Sequence, residues 1–255
     1  MSNSRDDRTQ RLLFGAAGIG GFLALWQIVV SVGLIDAYFV GSPIGAFHEG
    51  VRLMSEGKIW PDAAVTLLTL SYGLGLALLL GAPISVVLGR WQNGWNAVEL
   101  PILMLNATPT VALVIPIIMI IGIGSASKAV LAFIGAVIPI VVSGRAGAAS
   151  VPEAYVRAAR VYGAGRFEVF FKVVLPFSLL AVVSGVRLGV GRALTAVLVG
   201  EMYATQQGLG LWVSQGQYGM NADLLTFVTM FVATVGALLI GAVNVLDRSF
   251  AAWRA

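Results

Sequence analysis

Between Leu12 and Ile35 the chain runs for twenty-four residues without an ionisable side chain. As a helix that stretch reaches about 36 Å, more than the apolar thickness of a bilayer. Between Leu100 and Val142 the only charge is Lys128. Charged residues make up 11% of the chain and hydrophobic ones 58%, against about 25% charged in a soluble domain. The expected fold class is an all-α integral membrane protein in a single domain, residues 1–255, with six transmembrane helices at about 12–35, 62–89, 100–121, 126–143, 177–203 and 224–246. Ser42-Pro43 opens a short interfacial helix that Gly57 stops, Arg90 to Glu99 reads as a polar turn, and the glycine-rich segment from Gly122 to Lys128 separates spans three and four. The first run is longer than the 7–15 residues of a cleavable signal core, so it is expected to stay as a helix.

Basic residues fix the expected orientation. With the N-terminus inside, the inner segments hold Arg5, Arg8, Arg11, Arg90, Arg145, Arg157, Arg160, Arg166, Lys172, Arg248 and Arg254, whereas the outer ones hold Arg52, Lys58 and Lys128. Six crossings then place both termini in the cytoplasm of a bacterial inner membrane. The net charge of +4 therefore reads as membrane orientation, not as nucleic-acid binding. With no cysteine, thiol chemistry and cysteine metal sites are excluded, and a single histidine, His48, cannot build a histidine cluster.

The longest charged island, 144–176, is expected on the inner side. Ser150 and Glu153 have the spacing of a capping box, with Pro152 in the first turn. Val151, Ala154, Tyr155, Ala158, Ala159 and Tyr162 then recur on one helical face, with Glu153, Arg157 and Arg160 away from it. Gly163 is placed as the C-terminal stop, a second amphipathic piece carries Phe167, Phe170, Phe171 and Val174, and Leu175-Pro176 is expected to close the island.

The series Arg157-Ala158-Ala159, Gly163, Val173 and Leu175-Pro176 resembles the cytoplasmic loop signature of the membrane subunits of binding-protein-dependent ABC importers: Glu-Ala-Ala, three residues, Gly, nine residues, Ile, one residue, Leu-Pro. All gaps match. The signature's glutamate position is Arg157, and Glu153 stands one turn earlier, spaced to pair with it. Ser42-Pro43, Gly57 to Trp60, the run Asn106 to Pro116, Gly122-Ile123-Gly124 with Lys128, Gly185-Val186-Arg187 and Glu201-Met202 look like the nitrate, sulfonate and taurine branch of these permeases, over about residues 40–250. A methionine-type or other amino-acid permease shares the loop but less of the third span. The resemblance implies a type I ABC importer permease fold acting as a homodimer, with two cytoplasmic ATPase subunits, an extracytoplasmic solute-binding protein and alternating access. It further implies that Glu153, Arg157, Ala158, Ala159, Gly163, Leu175 and Pro176 couple to the ATPase, that ATP and Mg sit on that partner with no cofactor on this chain, and that the solute is small and anionic.

No nucleotide-binding loop is present, because the one Gly-Lys pair, Gly57-Lys58, lacks the required upstream glycine, and there is no Ser/His/Asp set. An enzyme is therefore not expected. In the third span Asn106, Thr108, Pro109 and Thr110 suit either a transport path or helix packing. Arg187, Arg192 and Glu201 are the ionisable residues of the fifth span. Arg187 is near enough to the inner end to snorkel. Arg192 lies about 24 Å from Pro176 along a helix and admits two readings: an anion-favouring group in a central cavity, or a structural partner for a backbone carbonyl or Glu201. The rival from another class is a stand-alone carrier or channel whose inner loop is only a surface helix.

Overall fold

The computed structural model describes the backbone of residues 4–204 and 207–251, and all side chains except those of 1–9, 11, 12, 16, 37, 38, 204–206 and 246–255. The side chains of Arg5, Arg8, Arg11, Arg248 and Arg254, part of the charge bias above, thus lie outside the described residues. In chain order the helices are α1 (Ser4–Ser31), α2 (Ala37–Val40), α3 (Pro43–Ser55), α4 (Ile59–Leu76), α5 (Ala82–Arg90), α6 (Gln92–Ala107), α7 (Thr110–Ile121), α8 (Ser125–Ala149), α9 (Glu153–Val161), α10 (Arg166–Val169), α11 (Leu175–Ala204), α12 (Leu209–Tyr218) and α13 (Ala222–Ala251). They form two compact units, Met1–Trp60 with Trp212–Val232, and Pro61–Leu211 with Ala233–Ala255.

In the first unit, Ser42 caps α3 as its sequence indicates: its hydroxyl accepts the Gly45 N–H at 2.9 Å. The Ser42 N–H in turn donates to the Asp223 carboxylate at 2.7 Å, and the Thr226 hydroxyl donates to the Val40 carbonyl. Gly57, at φ +70°, ends the α3 segment in the left-handed region.

Proline decides the course of the second unit, in two different ways. Pro83 and Pro176 lie inside continuous helices, Ile59–Arg90 and Arg166–Tyr203. Each follows a π-helical turn, Ala77–Gly81 before Pro83 and Phe170–Val174 before Pro176. Proline lacks an N–H, and its ring collides with the carbonyl four residues back. That carbonyl belongs to Leu79 or Lys172, and the wider turn moves it aside. The expected closure at Leu175-Pro176 is therefore corrected: the helix runs through it. At Pro109 the outcome is a break. Thr108 is extended, at φ −72° and ψ 123°, as a residue before proline prefers, and α6 and α7 meet at 102°. The third span is thus two helices and not one straight crossing of 100–121, and the polar turn expected at Arg90 to Glu99 is mostly the first half of α6.

The axis of this unit is α8. Its contacts with the Ile59–Arg90 helix advance in step: a β-carbon on Gly73 would sit 2.6 Å from the Ala129 carbonyl oxygen, one on Gly81 3.0 Å from Val137, and one on Gly89 2.7 Å from the Arg145 carbonyl oxygen. The two helices are parallel. Contacts with α11 run the other way, from Gly189 beside Ala136 to Gly185 beside Pro139 and Gly147 beside Ala181, so that pair is antiparallel. Parallel α4–α5 and α8 require the intervening α6–α7 pair to return the chain to the side it came from. The broken pair then counts as one crossing, and with α1 and α13, both long and apolar enough to span, the described residues hold six candidate spans. The Gly185-x-x-x-Gly189 spacing is a helix-contact surface. A β-carbon on Gly185 would lie 2.7 Å from the Pro139 carbonyl oxygen, so Gly185→Leu should overpack the α8–α11 contact at a cost of about 1–3 kcal/mol or more. Thermal melting of the detergent-purified protein checks this: Gly185→Leu lowers the midpoint and Ser71→Leu, on the exposed side of α4, leaves it in place.

Candidate functional site

At the start of the charged island, α8 runs on to Ala149 and leaves Ser150 at its C-terminus. The Ser150 hydroxyl donates to the Gly147 carbonyl at 2.8 Å. The expected capping box with Glu153 is therefore absent: the preceding helix claims the serine, and Pro152 holds the N-cap position of α9 without a side-chain hydrogen bond. Gly163 ends α9 as expected. At φ +85° it completes a Schellman turn, in which the Ala164 N–H bonds to the Ala159 carbonyl and the Gly163 N–H to that of Arg160, each at 3.0 Å.

The inward face of α9 is set by Val156, 1% exposed, with Ala159 half-buried. Of the stripe read from the sequence, Val151 is buried and Ala159 half-buried, and the remaining members are turned away from that face. Tyr155 is 59% exposed and Tyr162 92%, while Ala154, Arg157 and Ala158 are exposed too. An apolar stripe facing out is left uncovered by the chain's own core. Glu153 does not pair with Arg157. Its carboxylate accepts from Arg90, at the end of α5, at 2.6 Å. Arg90 was not singled out from sequence, because the pair is 63 residues apart. Its hydrogen bond, then its charge, hold the Glu153 carboxyl below its ordinary 4.5, with smaller through-space help from Arg157 and Arg160. Beside them Arg145 stacks on Trp95 at 4.6 Å. Leu175 and Pro176 belong to α11, beyond the π turn.

Arg192 and Glu201 are nine residues apart on α11, which turns them to opposite sides of the helix. Glu201 is therefore not the partner of Arg192, nor is it on an open face. It is 0% exposed, with the Thr66 hydroxyl donating to its carboxylate at 2.9–3.0 Å, the Gly210 N–H donating at 3.0 Å, and Lys128, 3% exposed, acting on it electrostatically. The Leu209 N–H donates to Thr66 and the Gly208 N–H to Asp62. Three successive N–H groups at the start of α12 thus find side-chain acceptors, as a buried helix end requires. Sequence reading missed Asp62 and Thr66, although their i, i+4 spacing on α4 puts them on one face.

Arg192 is exposed and donates to the side-chain oxygen of Asn106, also exposed, near the end of α6. Ser184, Leu188, Arg192 and Thr195 form one exposed stripe on α11. Thr108 and Thr110 are half-buried on either side of the exposed Pro109 at the α6–α7 bend, and Thr108 bonds back to the Met104 carbonyl. Asn106, Thr108, Pro109, Thr110 and Arg192 are therefore gathered at that bend, and Glu201 is apart from them.

Residues 73–252 match the family described as binding-protein-dependent transport system inner membrane component. The chain belongs to this family. The permease is 27% identical over 245 residues to a probable ABC transporter permease protein of Brucella abortus, covering 95% of this chain and 94% of that one. It is 25% identical to the taurine transport system permease protein TauC of Escherichia coli K12 (91% and 86% covered) and 27% identical to the putative aliphatic sulfonates transport permease protein SsuC of the same strain (91% and 89%). Its fold matches an inward-facing chain of the MetNI methionine ABC transporter with a TM-score of 0.63 at 21% identity, over 75% of this chain and 93% of that chain. The type I importer permease fold expected from the sequence is the fold observed, in a multi-pass inner-membrane transport subunit. Membership does not favour a stand-alone carrier or channel, and it implies ATPase and binding-protein partners.

Two outcomes are expected. Thr66→Val removes the acceptor of the Leu209 N–H and one donor to Glu201, and should cost about 1–3 kcal/mol, read as a lower melting midpoint. The Arg90–Glu153 contact should be pH-independent from neutral pH down to 4.5. A carboxyl whose value is lowered on folding contributes above its ordinary value, and that contribution fades as pH falls through the lowered one. Hydrogen exchange of α9, compared between the native chain and Glu153→Gln at each pH, should differ at neutral pH and converge only in acid.

Proposed function

We propose that this permease works as a homodimer that carries a small organic anion, a sulfonate by preference, from an external binding protein to the cytoplasm. Two ATPase subunits drive it, both termini lie inside, and access alternates between the two sides. The observation that carries the reading is the exposed Arg192–Asn106 pair on the open stripe of α11. A guanidinium that deep in a span is costly against lipid, by about 2.5–3.5 kcal/mol even on the lenient scale. That stripe is therefore covered by protein or water, and a second copy bordering a wet path supplies both. A positive group there lowers the barrier for an anion. The relatives named for taurine and aliphatic sulfonates support a sulfonate group as the anionic part of the solute. The exposed face of α9 supports an ATPase contact on the inner side.

Mass and composition of the complex gently extracted from native membranes test the assembly, with two copies of this chain and two ATPase chains expected. In proteoliposomes with the binding protein, ATP-dependent uptake of taurine or ethanesulfonate should fall at least about tenfold for Arg192→Gln, equivalent to about 1.4 kcal/mol, while assembly is retained. Unchanged uptake in Arg192→Gln and Arg192→Ala would remove the anion role.

A further inference from the structure

The charged edge of α9 specifies its partner more closely than docking alone. Around the helix axis, Glu153, Arg157 and Arg160 fall within one narrow sector, and Ala154, Ala158 and Val161 occupy the sector beside it. Glu153 is the only carboxylate on that edge, and it is bound to Arg90 at 2.6 Å. Arg90, Arg157 and Arg160 against one carboxylate leave a net charge of two positive units there. Arg157 and Arg160 are both exposed, and among the described residues neither has a carboxylate within ion-pair distance. Beside them Val161 is 85% exposed, and the two alanines are small enough for close backbone approach.

A membrane-surface helix has a different build. It sinks bulky Trp, Phe or Leu into the bilayer with basic residues on the opposite face. Here the outermost apolar row is Ala154, Ala158 and Val161, flat and small, with the cations directly alongside. That is the profile of a helix laid into a protein cleft.

We propose that α9 docks in an ATPase cleft rimmed by acidic side chains, with a carboxylate of the ATPase subunit facing Arg157. This rests on the importer reading above and adds the charge of the partner surface. Arg90 acts as a positioning residue, since by holding Glu153 it keeps that carboxylate from neutralising Arg157 and leaves the cationic edge for the partner.

The test uses the full complex in nanodiscs, with the ATPase chain that co-purifies from native membranes. The native chain should bind it with an affinity that falls as salt rises. Arg157→Glu should weaken binding roughly tenfold, and Arg157→Gln less, with a flatter salt dependence. A carboxylate-to-lysine change on the ATPase cleft rim should restore binding to Arg157→Glu. Both permease variants should elute as the native chain does, the site being exposed. Equal affinity of native, Gln and Glu chains for the ATPase would overturn the proposal and leave the importer reading intact. A native chain that captures no ATPase would overturn both. A loss seen only in nanodiscs containing phosphatidylglycerol, and not in phosphatidylcholine alone, would assign the edge to lipid headgroups and overturn the proposal as well.

Discussion

The second unit depends on how closely backbones can approach α8. Lipid offers no hydrophobic force to press helices together, since acyl chains are as apolar as leucine, and association relies on dispersion and close contact. Glycine at 73, 81 and 89 on one neighbour, and at 185 and 189 on the other, removes the side chain at each closest approach. α8 is therefore held on two sides along most of its length. Its parallel register with Ile59–Arg90 then obliges α6 and α7 together to make one return crossing, bend included. The bend exposes irregular backbone at Thr108 and Pro109, which a bilayer tolerates only against protein or in a water-filled cavity. The position of the polar residues Asn106, Thr108 and Thr110 is in that sense a consequence of helix packing elsewhere.

Much of this architecture was legible in the sequence because it depends on length and composition. Six apolar runs of bilayer length correspond to six candidate spans among the described residues when the bent α6–α7 pair counts as one. Which proline would break a helix was not legible. Pro83, Pro109 and Pro176 each lie within an apolar run of bilayer length, yet two are absorbed by a π turn and one, preceded by Asn106 and Thr108, is not. The difference lies in the surroundings. Leu175 to Pro176 continues into a helix clamped against α8, so a wider turn costs less than losing that contact, whereas Thr108 has the option of leaving α6 and turning back.

The 144–176 island shows the same division between local and distant causes. Gly163 was readable as a stop because a left-handed residue is a local demand that glycine meets. The Ser150–Glu153 capping box failed because α8 extends far enough to use the Ser150 hydroxyl itself, and the Glu153–Arg157 pair failed because Arg90 approaches from another helix. The placement of Glu201 away from Arg192 could have been read directly: nine residues are two and a half turns, hence opposite sides of α11. What no spacing could supply was the set of N–H groups from residues 208 to 210 that close over Glu201 and its neighbours.

The connections of α9 determine where a displacement of that helix goes. Three residues, Ser150 to Pro152, join it to α8, and a Schellman turn followed by α10 joins it to α11. The Arg90–Glu153 contact adds α5. These are the same three helices that glycine contacts pack together around α8. A force applied to α9 therefore cannot bend one of them past the others without opening contacts in which a β-carbon would already collide. It moves them as one body, and the compliant points are those where helical hydrogen bonding is already irregular: the π turns at 77–81 and 170–174 and the 102° bend at Pro109. The bend lies beside Asn106 and Arg192. Motion delivered through α9 is thus relieved next to the exposed Arg192–Asn106 contact between α11 and α6.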